Sequence, residues 1–301
     1  MVSTEFHPDL RRAARFLPRG GIGPRTLPMI RALAGIQGRR TPRGIEVLTL
    51  PSGGNIRIFR PHKPHHGFAA PAPALLWIHG GGYVLGQAAQ DDRLCRRFSH
   101  KLGITVASVD YRLAPQHPYP AGLEDCWEGL TTLAGLPGVD PARVAIGGAS
   151  AGGGLAAALA QLAVDRGEVQ PVLQLLVYPM LDDRSAQLPA DPGYRLWSPR
   201  SNQFGWTAYL GDADPQVAVP ARRADLSRLA PAWIGVGTLD LFHDENLAYA
   251  ERLRQAGVPC EVETIAGAFH GFDLLLANAP VSRSFFASQC AGLRNAFTRE
   301  G

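Results

Sequence analysis

The stretch "GGASAGG" (147–153) sets Ser150 inside a Gly-x-Ser-x-Gly pattern, Gly148-Ala149-Ser150-Ala151-Gly152, between an apolar run and a run of alanines and leucines with helical character. A serine on a sharp strand-to-helix turn presents its hydroxyl as a nucleophile, and small neighbours are needed because that turn is strained. Attack on a carbonyl creates an oxyanion, which needs preorganised N–H donors nearby. A second stretch, His79-Gly80-Gly81-Gly82, follows the apolar run "PALLWI" (73–78). Consecutive glycines cost backbone entropy, so something there needs bare backbone. Amides without a Cβ can approach a substrate oxygen, which makes Gly81 and Gly82 candidate donors. The N–H of Ala151, at a helix start, is the third.

A nucleophilic serine needs a base, and the base needs an orienting acid. On elbows of this kind the chain order is serine, acid, histidine. Of nine histidines, only His243 and His270 follow Ser150. His270 falls in "AGAFHGFD", just past the last apolar run, where site-forming loops gather in open α/β sheets. His243 sits where a helix opens and reads as a solvated or capping residue. For the acid, Asp240 leaves the end of the run "AWIGVGT" (232–238). Asp244 is its rival but lies where an acid favours a helix start.

These residues need a scaffold, and the rest of the chain predicts one. At 301 residues and 46% hydrophobic, the chain can bury a large core. "IEVLTLPSGGNIRIFRP" (45–61) reads as a hairpin. Beyond it, apolar runs at 73–79, 104–110, 143–148, 172–179, 232–238 and 260–267 alternate with helical patterns near 90–102, 121–134, 151–165, 244–256 and 281–297. That rhythm predicts an α/β fold with about eight strands, mostly parallel, flanked by helices. Residues 181–229 break it with Asp, Pro, Arg and aromatics and no strand pattern, so a helical insertion is expected there. The expected organisation is an N-terminal cap segment (1–43), a catalytic domain (44–180 and 230–301), and a cap insertion (181–229).

Charge is uneven: residues 1–43 carry nine arginines against Glu5 and Asp9, in a chain of net charge +4. Leu10, Ala13, Ala14 and Leu17 interleave at helical spacing, so this arm is expected to dock on the body with its arginines outward rather than bind nucleic acid. Four scattered cysteines predict reduced thiols, with neither disulfide nor metal. "PHKPHH" (61–66) lacks a ligand spacing and reads as a solvated loop. No run is long enough to span a membrane, and no secretory pattern opens the chain, so a cytoplasmic location is expected.

The motifs together carry a resemblance. "HGGGY", "VDYRLAPQHPYPAGLED" (109–125), "GGASAGGGLAAALA", "LDLFHDENLAYAERLRQAG" and "FHGF", in that order, are similar to the hormone-sensitive-lipase-like family of α/β-hydrolase esterases, also called bacterial family IV carboxylesterases. The likeness runs from about residue 75 onward. It implies the α/β-hydrolase fold with a helical cap, and a triad of Ser150, Asp240 and His270. It also implies an oxyanion hole of Gly81, Gly82 and Ala151, no cofactor, and a small ester of short acyl chain as substrate. Departures stand out: Ala149 where the family has Asp or Thr, Gln116 where Glu is common after "YRLAP", and Asp240-Leu241-Phe242 where "DPL" is common around the acid. Tyr111 and Arg112 are expected to brace the core. A non-catalytic ligand receptor or an amidase could use the same fold, though a receptor would be expected to lose a triad member. A lipid-surface lipase is disfavoured by the lack of a long exposed apolar stretch. Oligomeric state is not legible, and a homodimer stays open.

Overall fold

A computed structural model describes residues 5–37, 44–61 and 71–298. The elements run α1 (Arg11–Ala14), α2 (Leu27–Gln37), β1 (Glu46–Thr49), β2 (Asn55–Phe59), β3 (Ala72–Ile78), α3 (Asp92–Leu102), β4 (Thr105–Asp110), α4 (Ala121–Ala134) and β5 (Val139–Ala149). They continue with α5 (Ala151–Arg166), β6 (Gln174–Val177), α6 (Pro199–Leu210), α7 (Pro215–Ala218), β7 (Ala232–Leu239), α8 (His243–Gln255), β8 (Cys260–Phe269), α9 (Phe272–Leu275) and α10 (Pro280–Thr298). The "PHKPHH" loop beyond Pro61, and Arg39, Arg40 and Arg43 of the basic arm, lie outside the described residues.

One eight-stranded sheet has the order β1-β2-β4-β3-β5-β6-β7-β8. The β1–β2 hairpin joins β4 antiparallel, and every pairing from β4 through β8 is parallel. This is the mixed α/β sheet expected from the alternating runs. Side chains alternate across each strand, so one strand feeds two cores. Leu76, Ile78, Ile146, Leu176 and Ile234 pack with Leu130 of α4, Leu159 of α5 and Tyr249 of α8. Leu75, Trp77, Leu175, Trp233 and Val236 pack on the other face with Phe98 of α3 and Phe285 and Leu293 of α10. Burial on both faces explains why these strands read as continuous apolar runs rather than alternating ones.

The strand β5 begins four residues earlier than the run at 143 suggested, with Val139 pairing Ala72 across a register shift. The polar residues of "DPAR" hid this start. Residues 181–229 hold α6 and α7 with short 3-10 turns and no strand among the described residues. The helix α6 starts where Ser198 caps the N–H of Ser201 and Pro199 takes the first helical position. The N-terminal segment is tied to this insertion: Leu196 N donates to Pro18 O, Ile22 N to Ser201 Oγ, and Arg195 Nε to Ala14 O. Leu10 and Ala14 are fully buried against Phe269 and Phe272, as the helical interleaving predicts.

Two buried polar pairs anchor the start of α3. Arg57 donates twice to Asp92, at 2.8 and 2.6 Å, and Trp77 Nε1 donates to Asp91 at 2.8 Å. Burial pushes the Asp91 carboxyl up to about 7, against the pull of the Trp77 hydrogen bond. The folded chain therefore keeps a proton that the unfolded chain releases near pH ~4. That stability is complete below pH ~4 and is lost as the pH rises to about 7. Relative to Asp91→Asn, the wild type should lose on the order of 1 kcal/mol per pH unit across this window. Urea unfolding of both proteins at a series of pH values measures it, and parallel stability curves would contradict it.

Candidate active site

Ser150 stands between the end of β5 and the start of α5 with φ +58° and ψ −122°, a conformation that L residues rarely adopt. The turn is held by its backbone. Ser150 N donates to Val177 O, and Ser150 O accepts from Met180 N and Gly154 N. A Cβ at Gly152 would collide with Ile78 O, so β3 can lie against the turn only because that position is glycine.

The structure brings His270 and Asp240 to this serine. The strand β8 runs on to Phe269, and His270 follows at once. Ser150 Oγ lies 2.9 Å from His270 Nε2, and His270 Nδ1 lies 2.8 Å from Asp240 Oδ2. Asp240, 3% exposed, also accepts from Phe242 N through its other oxygen. With Nδ1–H donating to the carboxylate, Nε2 is left to accept the serine proton. His243 and Asp244 do not join the cluster; they pair with each other at the start of α8, at 2.7 Å.

The loop after β3 lies beside the serine: a Cβ at Gly80 would sit 3.3 Å from Ser150 Cβ. Gly82 has φ +59°, and a Cβ there would strike the ring of Trp197. Among the described residues, the N–H groups of Gly81, Gly82 and Ala151 make no backbone hydrogen bond outside the regular elements. The loop is fixed from below by His79, whose Nδ1 lies 2.9 Å from Gly80 O and whose ring stacks on Tyr111 at 4.2 Å. Burial lowers the His79 pKa, which favours the neutral ring. Tyr111 donates to His79 O and braces this loop from the core, while Arg112 forks onto the buried Asp125 of α4. Arg31 of α2 ties the same loop from above through Val84 O, Ala114 O and Gln116 Oε1. Gln116 thus meets Arg31 as a neutral acceptor.

Several residues around this cluster were given no catalytic role by the sequence. Tyr178 and Phe242 pack edge-on against the His270 ring, and Tyr178 donates to Asp273 at 2.7 Å. Trp197 is held over Gly82 by a buried chain: its Nε1 donates to Asn202, Asn202 to Ser185, and Ser185 to Asp182 O. Glu245 accepts from the N–H groups of Leu181 and Asp182, at the root of the insertion.

Comparison with known proteins agrees with this architecture. A family model described as alpha/beta hydrolase fold (Abhydrolase_3) matches residues 75–274, and the chain belongs to that family, the hormone-sensitive-lipase-like branch of the α/β hydrolases. The esterase LipI of Mycobacterium tuberculosis is 38% identical over 212 residues, which cover 67% of this chain and 66%, just under two thirds, of LipI. The ethyl acetate hydrolase of Pseudomonas putida is 37% identical, over 74% of this chain and 71% of its own. The solved structure of a bacterial heroin esterase superposes with a TM-score of 0.85 at 35% identity, covering 98% of both chains. These relatives are named for ester hydrolysis. No helix among the described residues is long and apolar enough to cross a membrane.

Proposed function

We propose that this protein cleaves carboxylic esters through Ser150, with His270 as general base and then acid, and Asp240 as the group that orients the imidazole. The observation that carries the reading is the continuous relay from Ser150 Oγ through His270 to Asp240, at 2.9 and 2.8 Å, on a serine at φ +58°. His270 takes the serine proton as Oγ attacks the ester carbonyl, and the Gly81, Gly82 and Ala151 amides receive the oxyanion. The imidazolium returns that proton to the leaving alcohol. Water then attacks the acyl-enzyme by the same route, restoring Ser150. Asp240 stabilises the imidazolium in both halves without taking its proton. The N-terminal segment and the 181–229 insertion, bonded to each other and reaching Gly82 through Trp197, form the cap over this site.

Labelling of Ser150 by a fluorophosphonate, together with hydrolysis of nitrophenyl esters, tests the reading. Matched anilides separate an esterase from an amidase, since an amidase would turn over both. Gly82→Ala should lower kcat on the order of 100-fold with the fold retained, because the added Cβ must push Trp197 or displace a donor. Activity within about threefold of wild type would remove Gly82 from the oxyanion hole.

The enclosed cap favours short acyl chains. Each buried methylene contributes about 0.8 kcal/mol, close to a fourfold gain in kcat/KM, until the pocket is full. The rate constant should rise from acetyl to butyryl or hexanoyl and then fall. A maximum at lauroyl or beyond would show a long tunnel instead.

A further inference from the structure

The helices α3 and α10 lie side by side on one face of the sheet, and apart from Asp92, which pairs with Arg57, their charges are of one sign. Residues 93–102 carry Arg93, Arg96, Arg97 and Lys101, residues 280–298 carry Arg283 and Arg294, and neither stretch contains a single Asp or Glu. Outside these two stretches and residues 1–43, the chain sums to −9, so its positive excess is gathered in these three segments. A groove of about 590 Å³ is lined by Arg93, Arg96, Arg97, His100, Lys101 and Phe286. Arg97 lies 3.9 Å over the Phe286 ring. Arg97, Lys101 and Arg294 surround Cys290 closely enough for their charges to act on its thiol.

Helix electrostatics do not account for this pattern. His100 and Lys101 sit in the last turn of α3, where the dipole welcomes a cation. Arg93 and Arg283 sit in the first turns of α3 and α10, where the dipole disfavours one. Among the described residues neither has a carboxylate partner, and Arg93 reaches only the side-chain oxygen of Asn278, at 3.3 Å. Two carboxylates do touch α10, Asp9 accepting from Val281 N at 3.0 Å and Glu263 bonding Ser288, and neither pairs with Arg283.

The patch also has an apolar border. Arg93, Arg97 and Phe286 share a second depression, of about 120 Å³, with Leu274 of α9 and with Asp91 and Asp273, whose carboxyls burial pushes toward the neutral form. Leu274 and Leu275 are 40% and 51% exposed, immediately after the loop that carries His270. Cations beside exposed leucines fit a surface that is anionic outside and apolar beneath. A nucleic acid would gain nothing from the leucines, and the one aromatic ring available for base stacking is covered by Arg97.

We infer that the α3–α10 face, with the α9 leucines at its edge, docks the protein reversibly on a bilayer surface rich in anionic phospholipids. The patch is assembled from helices far apart in the chain, so no single stretch is long or apolar. The inference is independent of the ester-hydrolase reading, because it needs only the charges and the leucines.

Co-flotation of the full chain with phosphatidylcholine vesicles, with and without phosphatidylglycerol, tests it. Binding is expected only with phosphatidylglycerol and should fall steeply as salt rises. Each cation near such a surface contributes roughly fivefold in binding, so Arg93→Gln/Lys101→Gln should weaken it on the order of 25-fold. Arg93→Glu/Arg97→Glu/Lys101→Glu should weaken it on the order of 100-fold or more. Both variants should hydrolyse a soluble acetyl ester as the wild type does, which shows that they are folded; the exposed Gln pair serves if the Glu variant is not. Leu274→Ser/Leu275→Ser should weaken binding without changing its salt slope. Arg25→Glu/Arg200→Glu, basic residues on the cap, should leave binding unchanged. Equal binding to neutral vesicles, no loss with either basic-patch variant, or binding of an oligonucleotide but not of phosphatidylglycerol vesicles would each overturn the inference.

Discussion

Ser150→Ala is expected to lower ester turnover on the order of 10³-fold or more while the protein stays folded. The strained backbone at φ +58° does not change its cost, because alanine keeps the Cβ that makes this conformation unfavourable. The backbone bonds that hold the turn, to Val177, Met180 and Gly154, involve no side chain. What is lost is the hydroxyl 2.9 Å from His270 Nε2, and with it the atom that forms the acyl-enzyme. Donors for an oxyanion and the substrate pocket remain, so a residual rate above water is expected. His270→Ala should do comparable damage, since such residues act as a unit. A thermal melt alongside the kinetics checks the fold. A folded Ser150→Ala with near-native turnover would sink the proposed mechanism.

Asp240→Asn should cost on the order of 10⁴ in kcat, and Asp244→Asn almost nothing. Asp240 is buried, and its two oxygens serve His270 Nδ1 and Phe242 N. An asparagine can keep one acceptor, but its amide then turns N–H donors toward the other partner. If the oxygen stays on Phe242 N, the amide donates to Nδ1 and the ring proton moves to Nε2. Nε2 is the atom that must accept from Ser150, so the base is lost with little change in shape. Asp244, with its side chain 92% exposed, only pairs with His243. Removing an exposed partner of this kind changes stability by roughly 0–1 kcal/mol. If Asp244→Asn proved the more damaging at equal stability, the acid would be misassigned.

The distance between Asp240 and Asp244 in sequence is one helical turn, and their fates differ because of burial. The ranking could be read from the chain, since an acid at a strand end and an acid at a helix start have different local uses. The same holds for Ser150: strand, small-residue turn and helix are local features, and local sequence can encode them. The succession of strands along the chain follows similarly from apolar runs, because a strand covered on both faces must be apolar throughout. Gln116 shows the limit of pattern matching. As a departure from a family habit it was only a doubt; in the fold it accepts from Arg31.

The sequence by itself therefore determined the fold class, the turn that carries the nucleophile, and the candidate base and acid, because each rests on a short run of backbone with its own preferences. Only the tertiary structure decided what surrounds them. Trp197 meets Gly82 across more than a hundred residues, held by Asn202 and Ser185, and Tyr178 flanks His270 while bonding Asp273. The cations of α3 and α10 become one patch only when both helices pack on the same face of the sheet, through Phe98, Phe285 and Leu293. Contacts of that kind depend on which faces meet, and no residue carries that information alone: it arises when apolar strands and helices bury their sides together and bring the remaining polar groups to the same surface.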